Sequence, residues 1–139
     1  MAGTGHTVKS YEEEMQSLND NLVKMGSLTE VQIADAMNAV IKVDKDSVDK
    51  IVKNDGNINE LRSIIDEQIT TVLVKRAPMA VDLRITISTM KISHDLERIG
   101  DLAKSIAKKV KPLPIDLPDE LVGSLRRLGD LVQKQLKEI

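Results

Sequence analysis

The sequence comprises 139 residues with a net charge of −2, and 41% of the residues are hydrophobic. A chain of this size and hydrophobic content can bury the core of one domain, which excludes an intrinsically disordered protein. The balanced charge excludes the basic face that a duplex-binding protein presents. Tyr11 is the one aromatic residue, which excludes a base-stacking surface, so we expect no nucleic-acid partner.

The sequence also limits compartment and redox chemistry. It has no cysteine, which excludes disulfides and thiolate metal sites. No apolar stretch approaches the roughly 20 residues of a membrane span, and no apolar signal segment follows Met1. We therefore expect a soluble, cytoplasmic protein with no membrane insertion.

The first predicted helix follows a short glycine-containing start. We predict an irregular backbone over residues 1–7, after which apolar residues recur every three or four positions, as in an amphipathic helix. The pattern predicts one helix that continues to about Val43. Its apolar stripe consists of Met15, Leu18, Leu22, Met25, Ile33, Met37 and Val40.

A second helix is predicted between an acidic cap and a proline. Asp44 or Asp46 can cap its start, and it ends near Lys75, shortly before Pro78. Its buried row follows a heptad spacing, which indicates packing against neighbouring helices. The row consists of Ile51, Ile58, Ile65 and Val72.

A third helix is predicted from near Pro78 to about Val110. Its apolar seam alternates steps of four and three, the most regular pattern in the chain. The seam consists of Ile85, Thr89, Ile92, Leu96, Ile99, Ala103, Ile106 and Val110. Near its end, Lys104, Lys108 and Lys109 are placed to complement the helix dipole.

The chain after the third helix divides into a stiff connector and a further helix. Prolines predict a connector at 112–118, and helical spacing resumes at Asp119. Residues 22–26 resemble residues 125–129, so the fourth helix is predicted to restart the pattern of the first. We therefore assign a three-helix unit to 1–111 and the truncated start of a second unit to 119–139. The seam of this fourth helix is Leu121, Leu125, Leu128, Leu131 and Leu136.

Helix lengths and short links indicate the architecture. Helices joined by short links pack antiparallel to their neighbours. The sequence therefore predicts an all-α fold: an elongated antiparallel three-helix bundle plus the start of a fourth helix.

Paired polar residues on the second and third helices form the candidate metal site. Asp55 and Asn59 are four positions apart, as are Glu97 and Asp101, so each pair lies on one helix face. Pro78 lies midway between the pairs, which places them at the same level of antiparallel helices. Converging oxygen ligands from two helices are typical of carboxylate metal sites. The alternative is that these residues form an ordinary solvated face.

The remaining polar residues offer little chemistry. His94 precedes Glu97 by three positions, whereas the carboxylate di-iron motif has the glutamate first and occurs twice. No glycine-rich phosphate loop or Ser-His-Asp set is present. We therefore predict no catalytic residues and no enzyme activity.

Two strings along the third predicted helix are more specific than helical periodicity requires: APMAVDLR at 77–84 and DLERIGDLA at 95–103. They resemble the PhoU family, the accessory proteins of bacterial phosphate-specific transport. The resemblance also includes Lys91-Ile92, His6-Thr7, Tyr11 and residues 22–26. It extends from about His6 to Val110 and more faintly into the fourth helix.

The resemblance implies a fold of two three-helix repeats and a regulatory function. Members of the PhoU family repress the phosphate-starvation response when phosphate is plentiful. They moderate uptake by contacting the ATPase subunit of the phosphate ABC transporter and a sensor histidine kinase, and they often form homodimers.

The resemblance also implies a cofactor. Some family members hold a multinuclear iron or zinc cluster with paired acidic motifs. The motif on the third helix corresponds to Glu97 and Asp101 without change. The motif on the second helix corresponds to Asp55 and Asn59, where the family usually has aspartate, and a neutral amide is a weaker ligand for such a cation.

Three functions thus remain open from the sequence. The first is a regulatory adaptor of phosphate homeostasis. The second is a carboxylate-bridged metal enzyme with redox or hydrolytic activity, and the third is a bare helical oligomerisation module. In each case we expect the uncovered seam at Leu121–Leu131 to drive self-association.

Overall fold

The computed structural model describes residues 2–114 and 117–138, and within them the secondary structure is helical. The four helices are α1 (Ala2–Lys42), α2 (Ser47–Arg76), α3 (Ala80–Lys108) and α4 (Asp119–Glu138). The first three helices pack against one another, and α4 packs against α1. The predicted all-α fold, a three-helix bundle followed by a fourth helix, is confirmed.

The helix α1 begins earlier than the sequence pattern indicates. Its backbone is helical from Ala2, so the prediction of an irregular segment was wrong for residues 2–7, while Met1 lies outside the described residues. A helix that is already formed extends by fixing only one residue for each added hydrogen bond. The penalty of about 1 kcal/mol for each glycine therefore does not end the helix at Thr7.

The helix α2 follows its predicted pattern closely. The four residues of its heptad row are fully buried: Ile51, Ile58, Ile65 and Val72. Asp44 organises the start of the helix, because its carboxylate accepts hydrogen bonds from the backbone N–H groups of Asp46 and Ser47 and from the Ser47 hydroxyl. These bonds, the hydroxyl bond above all, hold the pKa of Asp44 below its usual range. At the other end, Ala77 adopts a left-handed conformation just before Pro78.

The buried face of α3 consists mainly of small side chains. The prediction that Ile85, Ile92 and Ile106 belong to this face was wrong, since all three are more than a third exposed. Threonine, serine, glycine and alanine instead allow the backbone of α3 to approach the other two helices. The buried residues are Thr86, Thr89, Ser93, Leu96, Gly100, Ala103 and Ala107. The hydroxyls of Thr86 and Thr89 donate hydrogen bonds to backbone carbonyls of the preceding turn. Because both hydroxyls are satisfied, burying them has a small free-energy cost.

The helix α4 contacts the rest of the bundle through only a few of its residues. Gly129 is buried against the side chain of Met37, whereas Leu128 and Leu131 are 58% and 60% exposed. Leu136 packs against the core at the end of the helix. The predicted seam of α4 is therefore largely uncovered. None of the helices in the described part of the chain has the length and apolar character needed to cross a membrane.

We predict that Gly129→Ala weakens the attachment of α4. A Cβ at this position would lie 2.9 Å from Cγ of Met37, so one of the two groups must move. The typical cost of such overpacking, about 1–3 kcal/mol, exceeds over most of its range the gain of about 1 kcal/mol that alanine brings to a helix. Gly123→Ala is the matched control, because a Cβ there meets nothing within 4 Å and alanine favours helix by about 1 kcal/mol. Hydrogen exchange of the α4 amides should accelerate in the first variant and slow in the second. Equal exchange in both variants would refute the close contact.

An ion pair between α1 and α2 makes the stability of the fold depend on pH in the acid range. The guanidinium of Arg76 donates two hydrogen bonds to the Glu14 carboxylate, at 2.9 and 3.2 Å. These bonds hold the pKa of Glu14 below its usual value. A carboxyl group whose pKa is lower in the folded state stabilises the fold above its unfolded pKa of about 4.3, and this stabilisation disappears as pH falls through the folded pKa.

We therefore expect Arg76→Met to return the pKa of Glu14 towards its ordinary value. The variant should lose stability at pH 7 but little at pH 2, where Glu14 is protonated in both proteins. Side-chain NMR titration measures the pKa, and thermal unfolding at the two pH values measures stability. Arg98→Met, at an exposed position on α3, is the control. An unchanged Glu14 titration in Arg76→Met would contradict the assigned contact.

Candidate polar site between helices α2 and α3

Asp55 is a buried carboxylate in the middle of α2. Its side chain is 2% exposed, and both of its oxygens are engaged. Oδ1 accepts a hydrogen bond from Nε2 of Gln32 at 3.1 Å, and Oδ2 accepts one from Nδ2 of Asn59 at 3.3 Å. The ammonium of Lys104, on α3, lies 3.0 Å from Oδ2. Asp55 is thus held by groups from all three helices of the bundle.

Lys104 joins the two predicted motifs. Its ammonium lies 3.0 Å from Asp55 and 3.6 Å from Oδ1 of Asp101. Both carboxylates favour the charged form of the lysine, and the hydrogen bond to Asp55 contributes most to raising the pKa of Lys104. The motifs on α2 and α3 therefore lie at the same level of the bundle, as the position of Pro78 between them predicts.

Glu97 belongs to a separate charged cluster one turn away. The guanidinium of Arg62 donates to both oxygens of Glu97, at 3.2 and 3.3 Å. Arg62 also lies 3.5 Å from Asp66, and Nε2 of His94 lies 3.3 Å from the same aspartate. Glu97 is thus paired with an arginine, and His94 lies beside Asp66.

A buried glutamine connects the polar site to α1. Nε2 of Gln32 is also within 3.3 Å of the carbonyl oxygen of Gly100, and its Oε1 accepts a hydrogen bond from Asn54 at 2.8 Å. Gly100 lies so close to α2 that a Cβ would be 3.3 Å from Ile58 and 3.5 Å from Asp55. The absence of a side chain at Gly100 therefore allows α3 to approach the buried carboxylate.

These contacts do not assemble the four predicted ligands around a metal ion. Within residues 2–114 and 117–138, no group of three or more histidine, cysteine, aspartate and glutamate side chains is arranged to hold one. Asp55 and Asp101 share an ammonium, and Glu97 is paired with Arg62. Oδ1 of Asn59 is buried without a hydrogen-bond partner. As arranged, these side chains do not fit a multinuclear metal cluster. Metal binding by Asp55, Asn59, Glu97 and Asp101 remains a prediction from the sequence.

Sequence reasoning did not identify three residues that organise this site. Lys104 was assigned to the helix dipole, although it lies three positions after Asp101 and so on the same face of α3. Arg62 and Gln32 had no motif to mark them. Gln32 lies next to Ile33 in the apolar stripe of α1, and a polar residue beside a buried stripe was the available signal.

Comparison with known proteins identifies the family. The sequence profile of the PhoU domain matches residues 22–110, which is more than half of the chain. The chain belongs to the PhoU family. The matched region contains all four predicted ligands, the buried Asp55–Lys104 pair and the short segment around Pro78.

Individual members of the PhoU family agree with this assignment. A phosphate-specific transport system accessory protein PhoU homolog from Caulobacter vibrioides strain NA1000 is 39% identical over 137 residues, covering 98% of this chain and 60% of that protein. One from Pseudomonas aeruginosa is 36% identical, covering 97% of this chain and 56% of that protein. The crystal structure of PhoU from Pseudomonas aeruginosa superposes with a TM-score of 0.81 at 33% identity, over 92% of this chain and 62% of that one. The chain thus spans about three fifths of the length of these relatives.

Proposed function

We propose that the chain is a regulatory adaptor of phosphate homeostasis. It would moderate the phosphate ABC transporter and repress the phosphate-starvation response while phosphate is plentiful. The observation that supports this proposal is the match, over nearly the whole chain, to proteins named as accessories of phosphate-specific transport. An accessory protein acts on a transporter through contact, so a rigid bundle with exposed apolar and charged surfaces suits the task.

The proposed partners are the ATPase subunit of the transporter and a phosphate sensor histidine kinase. Both use ATP, so the adaptor would meet them in the cytoplasm. We propose that the chain does so without catalysing a reaction. In the polar site described above, Asp55 and Glu97 are held in ion pairs, which leaves neither of them free to act as a general base.

Direct binding tests the adaptor proposal. The purified chain should bind the ATPase subunit of the phosphate transporter from its own source bacterium, measured by biolayer interferometry. The ATPase subunit of an unrelated ABC importer is the matched control and should not bind. Equal binding to both subunits, or to neither, would contradict a specific adaptor.

We also propose that the chain self-associates through α4. Leu128 and Leu131 are mostly exposed on α4, and Leu102 on the adjoining surface of α3 is 59% exposed. Between the two helices lies a groove whose walls are almost entirely apolar. Contiguous exposed apolar surface of this kind is typical of an interface.

Light scattering at micromolar concentration should therefore give a mass above that of one chain. Leu128→Glu combined with Leu131→Glu should return the mass to that of one chain, because a charge in an apolar interface loses its hydration. Val74→Glu, at a highly exposed position at the far end of α2, is the control and should leave the oligomer intact. A strictly monomeric wild type would refute the proposal.

A further inference from the structure

The ammonium of Lys104 lies between carboxylates of the two predicted motifs. It is within 4 Å of carboxylates from two helices, Asp55 on α2 and Asp101 on α3. A divalent cation that joined these carboxylates would need to be about 2.0–2.6 Å from their oxygens. An ammonium and a divalent cation cannot share so small a space, because both volume and like charge oppose it.

The surroundings hold Lys104 and Asp55 in this arrangement. The lysine side chain is 25% exposed, so most of it is packed against the bundle. The other oxygen of Asp55 is fixed by Gln32, which is itself buried and anchored to Asn54. Asp55 therefore cannot rotate away from the ammonium without breaking a hydrogen bond from α1.

One atom nearby has no partner. Oδ1 of Asn59 is buried without a hydrogen bond, while Nδ2 of the same amide donates to Asp55. An amide oxygen is a suitable ligand for a hard or borderline divalent cation. Two carboxylates and this oxygen would supply three ligands, and Glu97 would not join them while it is paired with Arg62.

We propose that Lys104 is an internal counter-ion that excludes divalent metal from a latent site formed by Asp55, Asn59 and Asp101. The wild-type chain then keeps its polar site neutralised by its own lysine. Loss of that charge opens the site to cations such as Mn²⁺ and Zn²⁺. This inference concerns the chain itself and is independent of the proposed function.

Metal content of purified variants tests the inference. The chain is stripped with chelator, incubated with Mn²⁺ or Zn²⁺, passed through a desalting column and analysed by mass spectrometry. Wild type and Lys104→Arg should retain little metal, since both keep a cation at this position. Lys104→Met should retain about one equivalent and bind at least about tenfold more tightly by calorimetry. Lys108→Met, at an exposed lysine one turn later on α3, is the matched control and should behave as wild type.

A double variant identifies the ligands. Lys104→Met combined with Asp101→Asn should lose the metal that Lys104→Met gains. If Lys104→Met does not fold, as judged by circular dichroism, Lys104→Gln removes the charge while keeping a hydrogen-bond donor for Asp55, and the same gain is expected. Metal retained equally by wild type and the lysine variants would overturn the inference. A folded Lys104→Met or Lys104→Gln that retains no more metal than wild type would also overturn it.

Discussion

Replacing Asp55 by alanine is expected to lower the free energy of unfolding by about 3 kcal/mol, even in the presence of a chelator. The substitution leaves the ammonium of Lys104 without its closest counter-ion and deprives Gln32 and Asn59 of an acceptor. Removing one member of a buried ion pair typically costs about 3–5 kcal/mol. We place the loss at the lower end because Lys104 is partly exposed and retains Asp101.

Asp101→Ala is the matched control for this prediction. Asp101 contacts the same ammonium, but its side chain is 48% exposed and the distance is longer, at 3.6 Å. Exposed ion pairs contribute about 0–1 kcal/mol, so the loss should not exceed this range. Urea denaturation of both variants in chelator gives the comparison. Equal losses at Asp55 and Asp101 would contradict the structural role of the buried pair.

Replacing Ile58 by alanine is expected to cost about 4 kcal/mol. Its side chain is fully buried in the centre of the core and contacts the surface of α3 at Gly100. Truncating a buried isoleucine typically costs about 2–5 kcal/mol, and the cost rises when neighbours cannot fill the cavity. Gly100 has no side chain that could do so, which places this position in the upper part of the range.

Ile64→Ala provides the comparison on the same helix. Ile64 is 38% exposed, so its truncation removes the same atoms from a position that water already reaches. We expect a loss of less than about 1.5 kcal/mol, well below that at Ile58. Urea denaturation with unchanged slope would assign both losses to stability. Similar losses at the two isoleucines would contradict the packing of α2 against α3.

The sequence predicted the course of α2 well because its buried row consists of large aliphatic residues at heptad spacing. The row from Ile51 to Val72 has no competing stripe, so its burial follows from periodicity alone. The end of α2 was also predictable, since the backbone before Pro78 disfavours helix. The family resemblance, confirmed by the profile match, came from short strings that periodicity does not require.

The buried face of α3 was harder to predict because apolar residues lie on both sides of it. Hydrophobicity favours Ile85 and Ile92, whereas close approach of three helices requires the small Thr86 and Ser93. Which of these residues is buried depends on the distance between the helices, and a single sequence does not specify that distance. The proline connector was predicted at 112–118, of which residues 115 and 116 lie outside the described residues.

The candidate site shows the same limit. The spacing of Asp55, Asn59, Glu97 and Asp101 correctly placed two polar motifs at one level of the bundle. It did not indicate that Lys104 and Arg62 would be the partners of these carboxylates, because long basic side chains can reach in several directions. Metal binding by these four residues is the sequence prediction, whereas the proposed counter-ion role of Lys104 excludes metal from the wild-type chain. The lysine variants decide between the two.

The measurement that tests the central claim most directly is a phosphate-starvation reporter in the source bacterium. The gene for the chain is deleted, and alkaline phosphatase activity is assayed in phosphate-rich medium. A regulatory adaptor predicts high activity in the deletion strain and low activity once the intact gene is restored. Activity that stays low after deletion would contradict the proposed repression of the starvation response, while leaving the fold and the family unchanged.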